Sequence, residues 1–157
     1  MIRRTSAKRF DLDFWGSFEK GELVMKGLEE LCAYLKENGY KIGIASSSSK
    51  AYVETLLRNA DTVIEYDALC TGDMVKHAKP DPEIFLRGAA ELGVSPDNCL
   101  VLEDSKQGIL AAKRAGMRSC FIPDTIVPDD EMKAALDLQR DSLLDVISLL
   151  EENREEV

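Results

Sequence analysis

The sequence predicts an α/β fold, a Rossmann-like doubly wound parallel sheet, and three observations carry that prediction. Short apolar runs at 40–45, 68–71, 99–102 and 119–122 alternate with longer stretches whose apolar residues recur at helical spacing. The runs are continuous rather than alternating, as strands covered on both faces are. Three of them end in polar residues: Ser46, Thr71 with the loop on to Lys79, and the pair Glu103–Asp104. The carboxyl ends of the strands are where open α/β sheets gather their ligands.

A chain of 157 residues with 45% hydrophobic content suffices for one core. Its 20 basic and 29 acidic residues give a net charge of −9, which disfavours nucleic acid and anionic membrane surfaces as partners. A small anionic ligand therefore needs a local cationic site. No apolar run has the length of a transmembrane helix, and MIRRTSAKRF has charge without the apolar stretch of a signal peptide, so a cytoplasmic protein is expected. Cys32, Cys70, Cys99 and Cys120 are widely spaced inside apolar segments, with a single histidine in the chain, and read as buried reduced thiols rather than a metal site.

Taken in order, the chain begins ambiguously. Phe10, Phe14 and Phe18 recur every four residues, while Phe10, Leu12 and Phe14 alternate with Asp11 and Asp13 as in a strand. The longer repeat, broken at Gly21, favours a helix. From Gly27 the stripe Leu28, Leu31, Cys32 and Leu35 marks a helix that Asn38–Gly39 ends. The strand from Tyr40 to Ala45 then runs into the serines Ser46 to Ser49, of which Ser48 or Ser49 can cap the helix carrying Tyr52, Val53, Leu56 and Leu57.

The short strand 68–71 leads through a loop with His77 and Lys79 to Asp81, a cap with Pro82 at the first helical position. Ile84, Phe85, Ala89 and Leu92 form that helix's apolar face, and Gly93 stops it. The strand at 99–102 leads to a helix with Ile109, Ala112 and Ala115 on one face, ended by Gly116. The strand Ser119–Ile122, a loop to Asp130, a short helix at 131–136 and a last helix opened by Ser142 and Asp145 as a capping box complete the chain.

The groups at the three strand ends form a set suited to a phosphate with a divalent cation. Glu103 and Asp104 supply the hard oxygens that Mg²⁺ prefers. Lys79 offers a point charge to phosphoryl oxygens or to a carboxylate, and Ser46 with the first N–H groups of its helix offers hydrogen bonds. Each motif alone has a plainer explanation: Lys79-Pro80-Asp81-Pro82 as a stiff turn, the serines as a helix cap, His77 as an exposed loop residue. Their order on successive strand ends favours a site.

The segments IGIASSSS, KHAKPDPEIF (76–85) and LVLEDSKQGILAAKRAGM (100–117) resemble the second, third and fourth motifs of haloacid dehalogenase-like hydrolases, in the branch of β-phosphoglucomutase-like phosphatases. The resemblance spans roughly Gly27 to Pro123. It implies an HAD-like core in which Ser46 contacts the phosphoryl group, Ser47 and Ser48 line the same loop, and Lys79 steadies the nucleophile and the phosphoryl charge. It assigns Mg²⁺ to Glu103 and Asp104, followed by Ser105. The implied activity is Mg²⁺-dependent phosphohydrolase or phosphoglucomutase-like chemistry on a small phosphorylated metabolite through an aspartyl-phosphate.

The chain also departs from the family pattern, which begins with a strand ending in Asp-x-Asp-Gly-Thr. Phe10-Asp11-Leu12-Asp13 mimics the spacing, but Phe14-Trp15 follows. The stretch 13–26 looks like the family's last cap helix and its return, so residues 1–25 are expected to be a remnant of a helical cap and residues 26–157 the core. The sheet is then incomplete at its central strand, between the strands ending at Ser46 and Glu103. Either those two strands pair directly, or the segment around Phe10–Phe14 fills the slot, or exposed strand edges drive association. The rival functional reading is a truncated or degenerate module that binds phosphate or a partner without turnover. A signalling receiver domain fits poorly, since its acid pair follows the first strand.

Overall fold

Strand β4, Cys99–Glu103, is buried along its whole length, and the structure is arranged around it. The structure is a computed structural model that describes residues 13–16, 27–59 and 63–155. Side chains in β4 alternate between the two faces of the sheet. Cys99 and Val101 pack with Ile84, Phe85 and Ala89 of α3 (Glu83–Leu92) and Ala111 and Ala112 of α4 (Lys106–Arg114). Leu100 and Leu102 pack instead with Leu31 and Leu35 of α1 (Leu28–Glu37) and Val146 and Leu150 of α6 (Leu143–Glu155). Helices therefore cover both faces, which is why the strand reads as an unbroken apolar run.

The remaining strands are β1 (Asp13–Gly16), β2 (Ile42–Ser46), β3 (Ala68–Thr71), β5 (Arg118–Phe121) and β6 (Leu138–Gln139). Among the described residues they form one sheet in the order β3-β2-β1-β4-β5-β6, and every neighbouring pair is parallel. Helix α2 (Lys50–Asn59) follows β2, and the short α5 (Asp130–Ala135) packs Met132 against Ile109 and Phe121. The doubly wound parallel sheet expected from the sequence is the architecture observed.

The N-terminal expectation needs correction. The spacing of Phe10, Phe14 and Phe18 favours a helix, yet Asp13–Gly16 is a strand and fills the slot between β2 and β4. Phe14 pairs with Ile42 on one side and Leu100 on the other, and Gly16 with Ile44 and Leu102. A slot flanked by two strands offers a backbone ladder on each side, and such tertiary pairing overrides a short periodicity. These four residues belong to the core sheet, although they precede the boundary expected at residue 25. Phe10, Asp11 and Phe18 lie outside the described residues, as do all of 1–12 and 17–26.

The cysteines are free; Cys70, Cys99 and Cys120 are buried and Cys32 is half-buried. Among the described residues no helix is long and apolar enough to cross a membrane.

Candidate functional site

Because β2, β3 and β4 run parallel, Ser46, Thr71 and Glu103 all lie at the carboxyl edge of the sheet. Ser46 pairs with Thr71, and both are fully buried polar residues. The serine oxygen is occupied locally, accepting the Ser48 N–H at 3.2 Å. Ser46 thereby shapes the loop that follows it, Ser47–Ser49, before α2 begins.

Lys79 reaches this edge from the loop between β3 and α3. Its Nζ donates to Glu103 Oε2 at 3.2 Å, and the two side chains are only 2% and 0% exposed. The proximity expected from their shared sheet edge is present. The amine also lies 5.0 Å from the centre of the Phe85 ring, a cation–π distance. Arg114 of α4 anchors the adjoining Pro80 carbonyl at 3.1 Å, and the Asp81 carboxylate accepts the Glu83 N–H at 2.9 Å at the start of α3. The Lys79–Pro80 peptide is cis.

The adjacent acids have different surroundings. Glu103 is buried with both oxygens engaged: Oε2 by Lys79, and Oε1 by the Ser105 hydroxyl at 2.9 Å and the Asp104 and Ser105 N–H groups at 3.2 Å. Ser105 in turn caps α4 by accepting the Gly108 N–H at 3.1 Å. Asp104 is half-buried in the turn. Burial pushes its carboxyl up to about 6, with the Glu103 charge, a hydrogen bond with Glu103 and the Asp124 charge acting in the same direction. His77 is exposed, as expected, with Nδ1 3.1 Å from Glu83 Oε1.

Chemically, these groups suit a phosphate and a small divalent cation. Mg²⁺ takes one or two carboxylates and keeps several waters. Asp104 fits that role because it is a hard-oxygen donor in a negative surrounding that a cation would relieve. Among the described residues no cluster of three or more histidine, cysteine or acidic side chains could hold a metal.

The strand between the serine and the acids, β1, carries its acid at the other end. Asp13 pairs with Cys99, at the amino end of β4. At about 3.3 Å per residue, it lies about 13 Å short of the level of Glu103. Among the described residues β1 presents no carboxylate at its carboxyl end, where its last residue is Gly16.

The haloacid dehalogenase-like hydrolase family model matches residues 5–116, more than half of the chain. The chain belongs to the haloacid dehalogenase-like hydrolase family. Hexitol phosphatase B of Escherichia coli (strain K12) is 34% identical over 128 residues, covering 82% of this chain and 58% of that protein. The beta-phosphoglucomutase of Bacillus subtilis (strain 168) is 41% identical over 96 residues, covering 61% and 42%. The crystal structure of CbbY from Rhodobacter sphaeroides in complex with phosphate superposes with a TM-score of 0.70 at 33% identity, over 78% of this chain and 55% of that one. The chain spans about half the length of the curated relatives it matches.

Within this family fold, three supporting residues escape the sequence reading: Phe85 under Lys79, Gly108 against Glu103, and Asp73 beside the serine loop. Gly108 leaves a faint signal, being a glycine inside a helix where alanine is preferred. Asp73 leaves none, since Gly72-Asp73 after a short strand reads as an ordinary turn.

Proposed function

We propose that this chain carries the phosphoryl-binding edge of a Mg²⁺-dependent phosphohydrolase acting on a small phosphorylated metabolite, of the phosphatase or phosphoglucomutase-like kind. The observation that supports this reading most directly is the buried Lys79–Glu103 pair on the same sheet edge as Ser46. Ser46 and the backbone of Ser47 and Ser48 receive phosphoryl oxygens by hydrogen bonds, and Lys79 offsets their charge. Glu103 holds the Lys79 amine in place, and Asp104 is the carboxylate that holds Mg²⁺. The cation, when bound, neutralises charge on a transferring phosphoryl group. Turnover through an aspartyl-phosphate splits the transfer into two steps and requires an attacking carboxylate in line with phosphorus.

A second reading has its own support in β1, which brings no carboxylate to the site among the described residues. In that reading the chain binds phosphate or a partner without turnover. One experiment separates the two: assay an aryl phosphate with Mg²⁺ using wild type and Lys79→Met, and follow the Ser46–Ser48 amides during titration with inorganic phosphate. Turnover that falls roughly a hundredfold in Lys79→Met, at a temperature where circular dichroism shows the variant folded, supports the hydrolase. Amide shifts without turnover support the binding module, and neither response overturns both.

A further inference from the structure

We propose that Asp73 is a positioning residue for phosphoryl binding, holding the Ser46–Ser49 loop in the shape that receives phosphate oxygens. The inference rests on the phosphoryl-binding reading of that loop. Its basis is a latch built from the residues that follow β3. Since Ser46 pairs with Thr71, the chain leaving β3 runs alongside the chain leaving β2. The Gly72 N–H donates to the Ser48 carbonyl at 2.9 Å. A Cβ at position 72 would lie 2.1 Å from the Ser47 carbonyl oxygen and 2.8 Å from its carbon, both backbone atoms, so only glycine permits this approach.

Asp73 completes the latch from the far side of that contact. The Lys50 N–H, at the first residue of α2, donates to Asp73 Oδ1 at 3.1 Å and Oδ2 at 3.3 Å. The N–H groups of a helix's first turn have no partner within the helix. Ser49 accepts another of them, from Tyr52, at 3.3 Å. The Thr71 hydroxyl, fully buried, donates to Asp73 Oδ1 at 2.5 Å and fixes the rotamer of a carboxylate that is otherwise exposed. These two donors, Thr71 first, hold the Asp73 carboxyl below the usual carboxylate range. The serine loop is thus pinned at its start by Ser46, at its middle by Gly72 and at its end by Asp73.

A carboxylate near an anion site repels the anion, so its presence there calls for a positional explanation. Asparagine retains the acceptor without the charge, which separates position from electrostatics. The test titrates inorganic phosphate, with Mg²⁺ present, into wild type, Asp73→Ala, Asp73→Asn and Thr71→Val, following the Ser47 and Ser48 amides and the melting temperature of each. Asp73→Ala should bind about tenfold more weakly, with Thr71→Val displaced in the same direction and Asp73→Asn within about twofold of wild type. If Asp73→Ala does not fold, Thr71→Val, which only frees the carboxylate to rotate, decides the matter. Lowered melting temperatures with unchanged phosphate affinity in Asp73→Ala and Thr71→Val would reduce Asp73 to a helix cap and overturn the proposal while leaving the phosphoryl reading intact. A wild type that shows no shifts in the serine loop overturns the phosphoryl reading, and Asp73's role with it.

Discussion

Gly108 stands directly against the carboxyl group of Glu103. A Cβ at position 108 would lie 1.9 Å from Glu103 Cδ and 2.0 Å from Oε2, the oxygen that holds Lys79. Helix α4 thus carries a glycine where propensity favours alanine, and the freed space lets the helix close over a buried carboxylate. Gly108→Ala should lower stability by about 3 kcal/mol, because the overpacked carboxyl must move and lose its partner. Urea denaturation measures this. A stabilised variant, as helix propensity alone predicts, would show that Glu103 yields freely.

The Lys79–Glu103 pair makes a second prediction. With both side chains out of water, removing the cation leaves a buried negative charge. Lys79→Met should cost about 3–5 kcal/mol. Lys79→Met with Glu103→Gln should recover much of that loss, since the amide oxygen still accepts from Ser105 and carries no charge. A double-mutant cycle on unfolding free energies reads the coupling, and strictly additive losses would deny the pair any special role.

How much of this was legible in the sequence depends on how local each cause is. The runs at β2 and β4 are continuous because helices cover both faces, so their positions, and those of Ser46 and Glu103 at their ends, can be read directly. Strand β1 has no such run: charged and apolar residues alternate over 10–14, and its conformation comes from ladders supplied by residues about thirty and ninety positions away. Strand β6 is two residues at the sheet's edge, too short to leave a pattern. Glu103 and Asp104 read as an equivalent pair, yet only Glu103 follows the strand into the interior. That division depends on Lys79, which lies twenty-four positions upstream, so composition around the pair does not reveal it.

A third prediction concerns pH. Asp129 caps α5 by accepting the Met132 N–H at 2.9 Å, and the Lys106 amine donates to its other oxygen at 2.6 Å. The Lys106 hydrogen bond, followed by that of Met132, holds the Asp129 carboxyl below the usual carboxylate range. A depressed folded-state value stabilises the protein above the unfolded-state value, near 4, and that contribution disappears as pH falls through the folded-state value. Carboxyl-carbon NMR should therefore show Asp129 titrating below the usual aspartate value. In Asp129→Asn the acid-side loss of stability should be shallower than in wild type. A titration at the ordinary aspartate value would mean that Lys106 spends its time elsewhere.

The last prediction separates the acids at the two ends of the sheet. Asp104 lies in the turn after β4, beside Glu103, and its carboxyl is raised to about 6 by burial and by negative neighbours. Asp13 begins β1 opposite Cys99, at the opposite end of the strands. If Mg²⁺ is held at the carboxyl edge, titration should shift amides around Asp104, Ser105 and the facing Ser46–Ser48 loop. Asp104→Asn should weaken that response at least about tenfold, roughly 1.4 kcal/mol, because it removes the carboxylate whose oxygens are not already committed to Lys79 and Ser105. Asp13→Asn should leave it unchanged, since no carboxylate about 13 Å away along the strands reaches the same ion. A response that survives Asp104→Asn but is lost in Asp13→Asn would place the cation at the amino edge of the sheet. The assignment of Asp104 would then be wrong.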